Sequence, residues 1–283
     1  MKMDKNKIEL TIGIPAAGRT EKLVSCVRSI QNYAPTNVKI IILNNAITDI
    51  PDSIKLLDNV QIIKPQICQS PSASRKLIGD NTETPYLLYL DEDMTISPNS
   101  VERLIDFMNN NKDISIASGV LFENKKEFPI AYHFGFGKIR EKMCVWKEPI
   151  YRCILISSGL DYYQTDFAHP PFVLRTSILK NVSFDPNFYW GSELFDFFLQ
   201  CYNQRIKSAS LEGVIFYHHP GVYQNETFKT KHFENNRLGK QYFNKKWGIE
   251  IIPAISYKFS DILLMRIKNR FDNLIKKVKF LKL

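Results

Sequence analysis

Three neighbouring acids, Asp91-Glu92-Asp93, end the apolar run Tyr86-Leu-Leu-Tyr-Leu90. A short apolar stretch that stops in charge is how a buried central strand looks when it delivers polar groups to the edge of a sheet. Ligands of open α/β sheets bind there, at the carboxyl ends of the strands. Alternate residues of an extended chain share a face, so Asp91 and Asp93 are expected on one side and Glu92 on the other. Two carboxylates converging at the mouth of a crevice repel each other unless a cation or a hydrogen-bonding ligand lies between them. Hard oxygen donors favour Mg2+ or Mn2+. The chemistry expected is a divalent ion holding a phosphorylated ligand. The plainer alternative is an acidic turn in which Asp93 caps a following helix.

Positioning these groups requires a sheet, and the chain alternates strand and helix around them. Glu9 to Pro15 reads as a first strand, and Ala16-Ala-Gly-Arg-Thr20 as the turn after it. Thr20 is expected as N-cap of a helix carrying Leu23, Val24, Val27 and Ile30. Val38 to Leu43 and Val60 to Ile63 read as strands, Ser72 to Ile78 and Pro98 to Asn109 as helices. This alternation predicts an α/β fold with a mostly parallel, covered sheet. Beyond Ile114 to Phe122, another strand, the pattern changes: Lys125 to Asp161 mixes aromatics, glycines and charges as strands and long loops do. A helix is expected from Ser192 through Leu199, and a strand from Ser208 to Tyr217 that ends in His218-His219. The charged stretch Gln224 to Arg237 reads as a loop before a last globular segment, Tyr242 to Gly248.

With 283 residues, 44% hydrophobic and 24% charged, the chain can bury a full core. Its five scattered cysteines (Cys26, Cys68, Cys144, Cys153, Cys201) show no metal or redox spacing and are expected reduced, in a cytoplasmic protein. Neither a signal peptide nor a membrane span is expected. The formal charge of +9 is concentrated at one end: from Asp261 to Leu283, seven basic residues against two acidic ones contribute +5 of it. In that tail Ile262, Leu263, Phe271, Leu274, Ile275 and Val278 are interleaved with Lys and Arg, the pattern of a helix lying on an anionic membrane surface. Helix packing on the domain or on another subunit is the alternative. No groove-reading or base-stacking module is present, so nucleic acid is not an expected partner.

Taken together, Ile14-Pro15-Ala-Ala-Gly-Arg19, Leu43-Asn44-Asn45, Ser72-Ala-Ser-Arg75, Leu90-Asp91-Glu-Asp93, Phe184 to Glu193 and Tyr217-His218 resemble the family 2 glycosyltransferases, inverting enzymes of the GT-A fold. The likeness spans residues 8 to 250. It implies a three-layer α/β/α domain over 1–252 followed by the basic tail, 253–283. It further implies that Asp93 binds Mn2+ or Mg2+, that Asp91 faces the ribose and phosphates of a nucleotide-sugar, and that His218, or its rival His219, completes the metal site.

Inverting transfer is a single displacement, so the acceptor hydroxyl must lose its proton as it attacks, and one carboxylate within reach suffices. Trp190-Gly-Ser-Glu193 is where that base is expected: Glu193, in the first turn behind Ser192, with Asp196 as the alternative. Pro15, Ala17, Arg19, Asn44, Asn45, Arg75 and Glu92 are the candidate donor contacts, with Asp91. Asn44 stands where the family commonly has an aspartate. An amide can still accept from a uracil imide, and a UDP-sugar is the donor expected. Pro171 and Trp190 would line the acceptor side. Lys229, Lys231 and Arg237 would either close over the phosphates or form a solvated charge run. The activity implied is transfer to a glycan or lipid-linked saccharide at the inner membrane face. A sugar-nucleotide nucleotidyltransferase, or a non-catalytic membrane-attached module of the same fold, are the competing expectations.

Overall fold

The computed structural model describes residues 10–252 except 47, 68, 124–125, 129–130, 140, 150–160, 189–190 and 222–225; side chains are also outside the description at 126–128, 131, 149 and 226–233. Trp190 and the tail from 253 onward therefore lie outside the described residues. Four parallel strands open the chain: β1 (Leu10–Ala16), β2 (Lys39–Asn44), β3 (Val60–Ile63) and β4 (Tyr86–Tyr89), ordered β4-β1-β2-β3. They are joined through α1 (Thr20–Tyr33), α2 (Asp52–Lys55) and α3 (Pro71–Asp80). Then come β5 (Met94–Ile96), α4 (Ser100–Asn110), β6 (Ile114–Glu123), β7 (Lys126–Phe128), the hairpin of β8 (Ala131–Ile139) and β9 (Lys142–Pro149), β10 (Tyr162–Thr165), β11 (Phe167–Ala168) and β12 (Phe172–Arg175). The described chain closes with α5 (Glu193–Asn203), β13 (Lys207–His218), α6 (Glu226–Trp247) and β14 (Glu250–Ile251).

The main sheet runs β10-β13-β6-β12-β4-β1-β2-β3, with β5 on β13 and β7 on β6. Its parallel half agrees with the sequence pattern. The far half is mixed, because β12 inserts antiparallel between β4 and β6, while β6 and β13 are parallel to each other. The period of two along each strand decides which helices cover which face. Ile12, Ile14, Ile40, Ile42, Leu88 and Leu90 share a core with α1 and α4. Ile41, Leu43, Leu87 and Tyr89 meet Ile78 of α3 and the aromatic residues of α5 on the other side. There Phe184 and Phe197 stack with centroids 4.4 Å apart. Gly13 lets α3 approach β1 closely: a Cβ there would lie 2.3 Å from Ile78.

Three expectations need correction. Thr20 is the first residue of α1 and Arg19 occupies the N-cap, because the Arg19 side chain is committed to Glu92 and Asp93 and holds the turn in place. The acids 91–93 do not continue the strand. They form a turn closed by Met94 N–H donating to the Asp91 carbonyl at 3.0 Å, so face alternation does not apply to them. The charged stretch read as a loop is the front of α6, whose buried Phe243 and Gly239 anchor its later turns. The segment from 125 to 161 supplies most of a second sheet, β11-β8-β9-β14, in which Gly135 makes room for Trp146 across the hairpin. Among the described residues no helix is long and apolar enough to cross a membrane. The described cysteines, Cys26, Cys144 and Cys201, are buried free thiols.

Candidate active site

The site is assembled at the carboxyl ends of β1 and β4, where the turn 91–93 meets Arg19 after β1, Arg75 on α3, Glu193 at the start of α5 and His218 at the end of β13. Arg19 binds two of the acids, Nε to Glu92 Oε1 at 2.8 Å and Nη1 to Asp93 Oδ2. Arg75, whose side chain is only 6% exposed, takes the others: Nη2 lies 2.9 Å from Asp91 Oδ1 and Nη1 3.3 Å from Glu193 Oε1. Asp91 and Asp93 are thus adjacent in the turn but held by different arginines.

His218, and not His219, reaches Asp93. Its Nε2 lies 3.2 Å from Asp93 Oδ2, and its Nδ1 lies 2.7 Å from Glu123 Oε2 at the end of β6. His219 turns away and pairs with the Thr95 hydroxyl at 2.9 Å, while its backbone N–H donates to the Asp93 carbonyl. Burial works to raise the Asp93 carboxyl, but the bond from His218 and the charge of Arg19 outweigh it and leave it below the usual carboxylate range. Burial also opposes charge on His218, and its two carboxylate neighbours outweigh that and raise it above the ordinary imidazole value. A cavity of about 610 Å3 opens beside this histidine, lined by Lys22, Phe122, Ile215, Tyr217, His219 and Pro220 as well.

These groups fit a divalent ion. Two donor atoms about 3 Å apart match neighbouring corners of an octahedron with bonds of about 2.1 Å. A carboxylate taking the Nδ1 proton of the ring leaves Nε2 as the donor, the usual support for a metal-binding histidine. Among the described residues no three His, Cys, Asp or Glu side chains gather as a complete cage. Asp93 and His218 would therefore supply two positions and leave the rest to phosphate oxygens and water, as suits Mg2+ or Mn2+.

Glu193 lies at the start of α5 as the sequence pattern predicts, although the Ser192 hydroxyl makes no capping bond. Gly191, with φ +84, makes the turn that brings it in. Its Oε1 is held by Arg75, and its buried Oε2 has no partner among the described residues. Asp196 is different. It is completely buried, and it receives bonds from Trp247 Nε1 at 2.8 Å, Lys246 Nζ and Gln200 Nε2. Burial raises its carboxyl above the usual range despite these partners. It ties α5 to α6.

The amide contacts expected for the nucleotide are engaged elsewhere. Asn44 accepts from Ala46 N–H and donates to the Thr48 carbonyl, an Asx-type turn. Asn45 is held by Ser74 and by both backbone groups of Gln69: its amide nitrogen donates to Ser74 Oγ and the Gln69 carbonyl, and its amide oxygen accepts from Gln69 N–H. Both therefore shape the loop that walls the site. Pro15 is half-buried and Ala17 exposed at the end of β1, whereas Pro171 is buried just before β12 and Phe172 lies wholly in the core. Arg237 is exposed on α6; the side chains of Lys229 and Lys231 lie outside the description. Glu123 was not legible in advance, because nothing in its local sequence distinguishes it from a strand-end acid.

An α/β sheet with acids, two arginines and a histidine converging beyond its strand ends defines a site for an activated phosphate ester. The sequence profile of Glycosyl transferase family 2 matches residues 11–182, and the chain belongs to that family. Its fold is the GT-A fold. No curated protein matches it in sequence. Among solved structures it is similar to GalNAc-T7 crystallised with UDP, GalNAc and Mn2+, at TM-score 0.60 and 13% identity over 78% of this chain. It spans 45% of that protein's length. It is also similar to residues 1–349 of TarS from S. aureus, at TM-score 0.54 and 11% identity, over 85% of this chain and 74% of the other.

Proposed function

We propose that the enzyme is inverting and metal-assisted, moving a sugar from a UDP-sugar to a saccharide or lipid-linked saccharide with Glu193 as base. The observation that carries this reading is Arg75, one buried guanidinium that ties Glu193 to Asp91, two residues from Asp93. Arg75 fixes one oxygen of the Glu193 carboxylate and leaves Oε2 to take the proton of an attacking hydroxyl. Asp93 and His218, steadied by Glu123, would hold Mn2+ or Mg2+, and that ion would stabilise charge developing on the departing diphosphate. Arg19, whose side chain is 43% exposed, stands at the rim where the diphosphate would lie and can exchange its carboxylate partners for phosphate oxygens. UDP as nucleotide is supported by the similar structure solved with it.

The basic, apolar-striped tail supports contact with an anionic membrane, at the cytoplasmic face, where lipid-linked acceptors would be within reach. Binding to anionic vesicles that is lost on deleting 253–283 is the expected result; vesicle binding unchanged by the deletion would refute it.

The reading of the site is tested by thermal-shift titration with UDP and the other nucleoside diphosphates, with and without Mn2+. Ligand at about 100 times its Kd adds roughly 2.7 kcal/mol to stability. A Mn2+-dependent rise in Tm with UDP is expected; identical curves with and without the ion would remove the metal from the proposal.

A further inference from the structure

Lys147, on β9, places its ammonium among three aromatic rings, 4.7 Å from the Phe167 centroid, 4.8 Å from Tyr132 and 5.5 Å from Phe195. Its hydrogen-bond partner is His169 Nε2, at 2.8 Å. No ion pair joins Lys147 to a carboxylate among the described residues, and burial alone pushes its ammonium down to about 8. His169 is held well below the ordinary imidazole value by burial and by the charges of Lys147 and Arg75, so it stays neutral and accepts from the lysine. At neutral pH the ammonium is therefore charged and half-buried, and among the described residues ring faces and one imidazole lone pair serve it. Such a cation is undercompensated: aromatic faces return far less than a buried charge loses on leaving water.

Location gives this pair a purpose. His169 stands in the link between β11 and β12, close enough to Arg75 to feel its charge, and Arg75 is the residue that holds Glu193. Phe195, one of the three rings, lies in the first turn of α5 two residues beyond Glu193. Both terminal nitrogens of Arg75 are engaged by Asp91 and Glu193, whereas Lys147 holds no carboxylate among the described residues.

We propose that Lys147 and His169 form an anion subsite of the active site that selects a carboxylate or phosphate group carried by the sugar substrate. The subsite rests on the glycosyltransferase reading of Glu193 and its surroundings. The anion can belong to the sugar being transferred or to the acceptor saccharide, and the two sources are separable.

The test is titration calorimetry on the full chain with Mn2+. UDP-glucuronate is compared with UDP-glucose, and glucose 6-phosphate with glucose on protein saturated with UDP. In one pair the anionic member is expected to bind about tenfold more tightly, the value of one charge-assisted hydrogen bond. Preference in the first pair assigns the anion to the donor, and preference in the second to the acceptor. In Lys147→Met the preference should vanish while UDP affinity stays the same, which also reports that the variant is folded. Equal binding within both pairs, or a preference that survives Lys147→Met, overturns the subsite. Failure of the wild type to bind UDP counts against the proposed donor instead, and glucose 6-phosphate against glucose on the protein alone then decides the subsite by the same criterion.

Discussion

Arg75 Nη1 lies 3.3 Å from Glu193 Oε1 across 118 residues of sequence, and the same guanidinium holds Asp91 at 2.9 Å. One side chain on α3 thereby couples the acid assigned to proton removal to the turn assigned to the donor. Replacing Arg75 with Met would strand a buried carboxylate, which typically costs about 3–5 kcal/mol. At this chain length 1 kcal/mol moves Tm by roughly 2–4 °C, so a drop of about ten degrees in calorimetry is expected, together with loss of turnover. A Tm within a degree of wild type would show that the pair does not operate.

Glu193→Gln and Asp196→Asn should separate chemistry from architecture. The first keeps shape and removes the base, so kcat should fall about 10²–10⁴-fold with UDP binding retained. The second disturbs the link from α5 to Trp247 and Lys246, and should lower Tm while leaving kcat within a few-fold at a temperature where the protein is folded. A reversal of the two kcat effects would make Asp196 the base.

Glu123 matters through His218. With Glu123→Ala the ring loses its Nδ1 partner, and Mn2+ affinity in the presence of UDP should weaken about 10–100-fold, read by calorimetry. Metal-free UDP binding should not change. Unaltered Mn2+ affinity would mean that His218 is oriented by something else.

The ammonium of Lys147 gives a pH signature. Its folded value, about 8, is below the ordinary lysine value of 10.5. Below pH 8 it is charged in both folded and unfolded chains, and the full burial penalty applies. Between pH 8 and 10.5 the folded chain sheds the proton first, so the penalty fades as pH rises. Lys147→Met should therefore melt several degrees higher than wild type at pH 7, and the gap should close by about pH 10. Among the described residues His169 and Tyr132 are its titratable contacts, and of the two Tyr132 lies nearer that range; burial raises it. A gap constant across the pH range would contradict a penalised lysine.

Much of the parallel half was legible because each strand there is an uninterrupted apolar run bounded by turn residues, as in Val38 to Leu43 and Tyr86 to Leu90. The placement of Glu193 at a helix start, and of Arg75 on the helix before the central strand, was legible from the residues around them. What sequence could not show was long-range pairing. Whether an acid such as Glu123 meets His218, or Lys147 meets His169, depends on strands far apart in the chain lying side by side, and local pattern carries no record of that. Asn44 and Asn45 show where local pattern stops: amides suited to a ligand are equally suited to closing their own loop.

The small sheet β11-β8-β9-β14 is a separate hydrogen-bonded unit from the large one, and brief links such as Asp166 and His169 to Pro171 carry the chain between them. Residues that would grip the nucleotide and those that would choose the sugar thus ride on separate frameworks. Descendants of such a chain can acquire new substrates by rewriting one hairpin, while the inherited machinery for leaving-group departure stays intact.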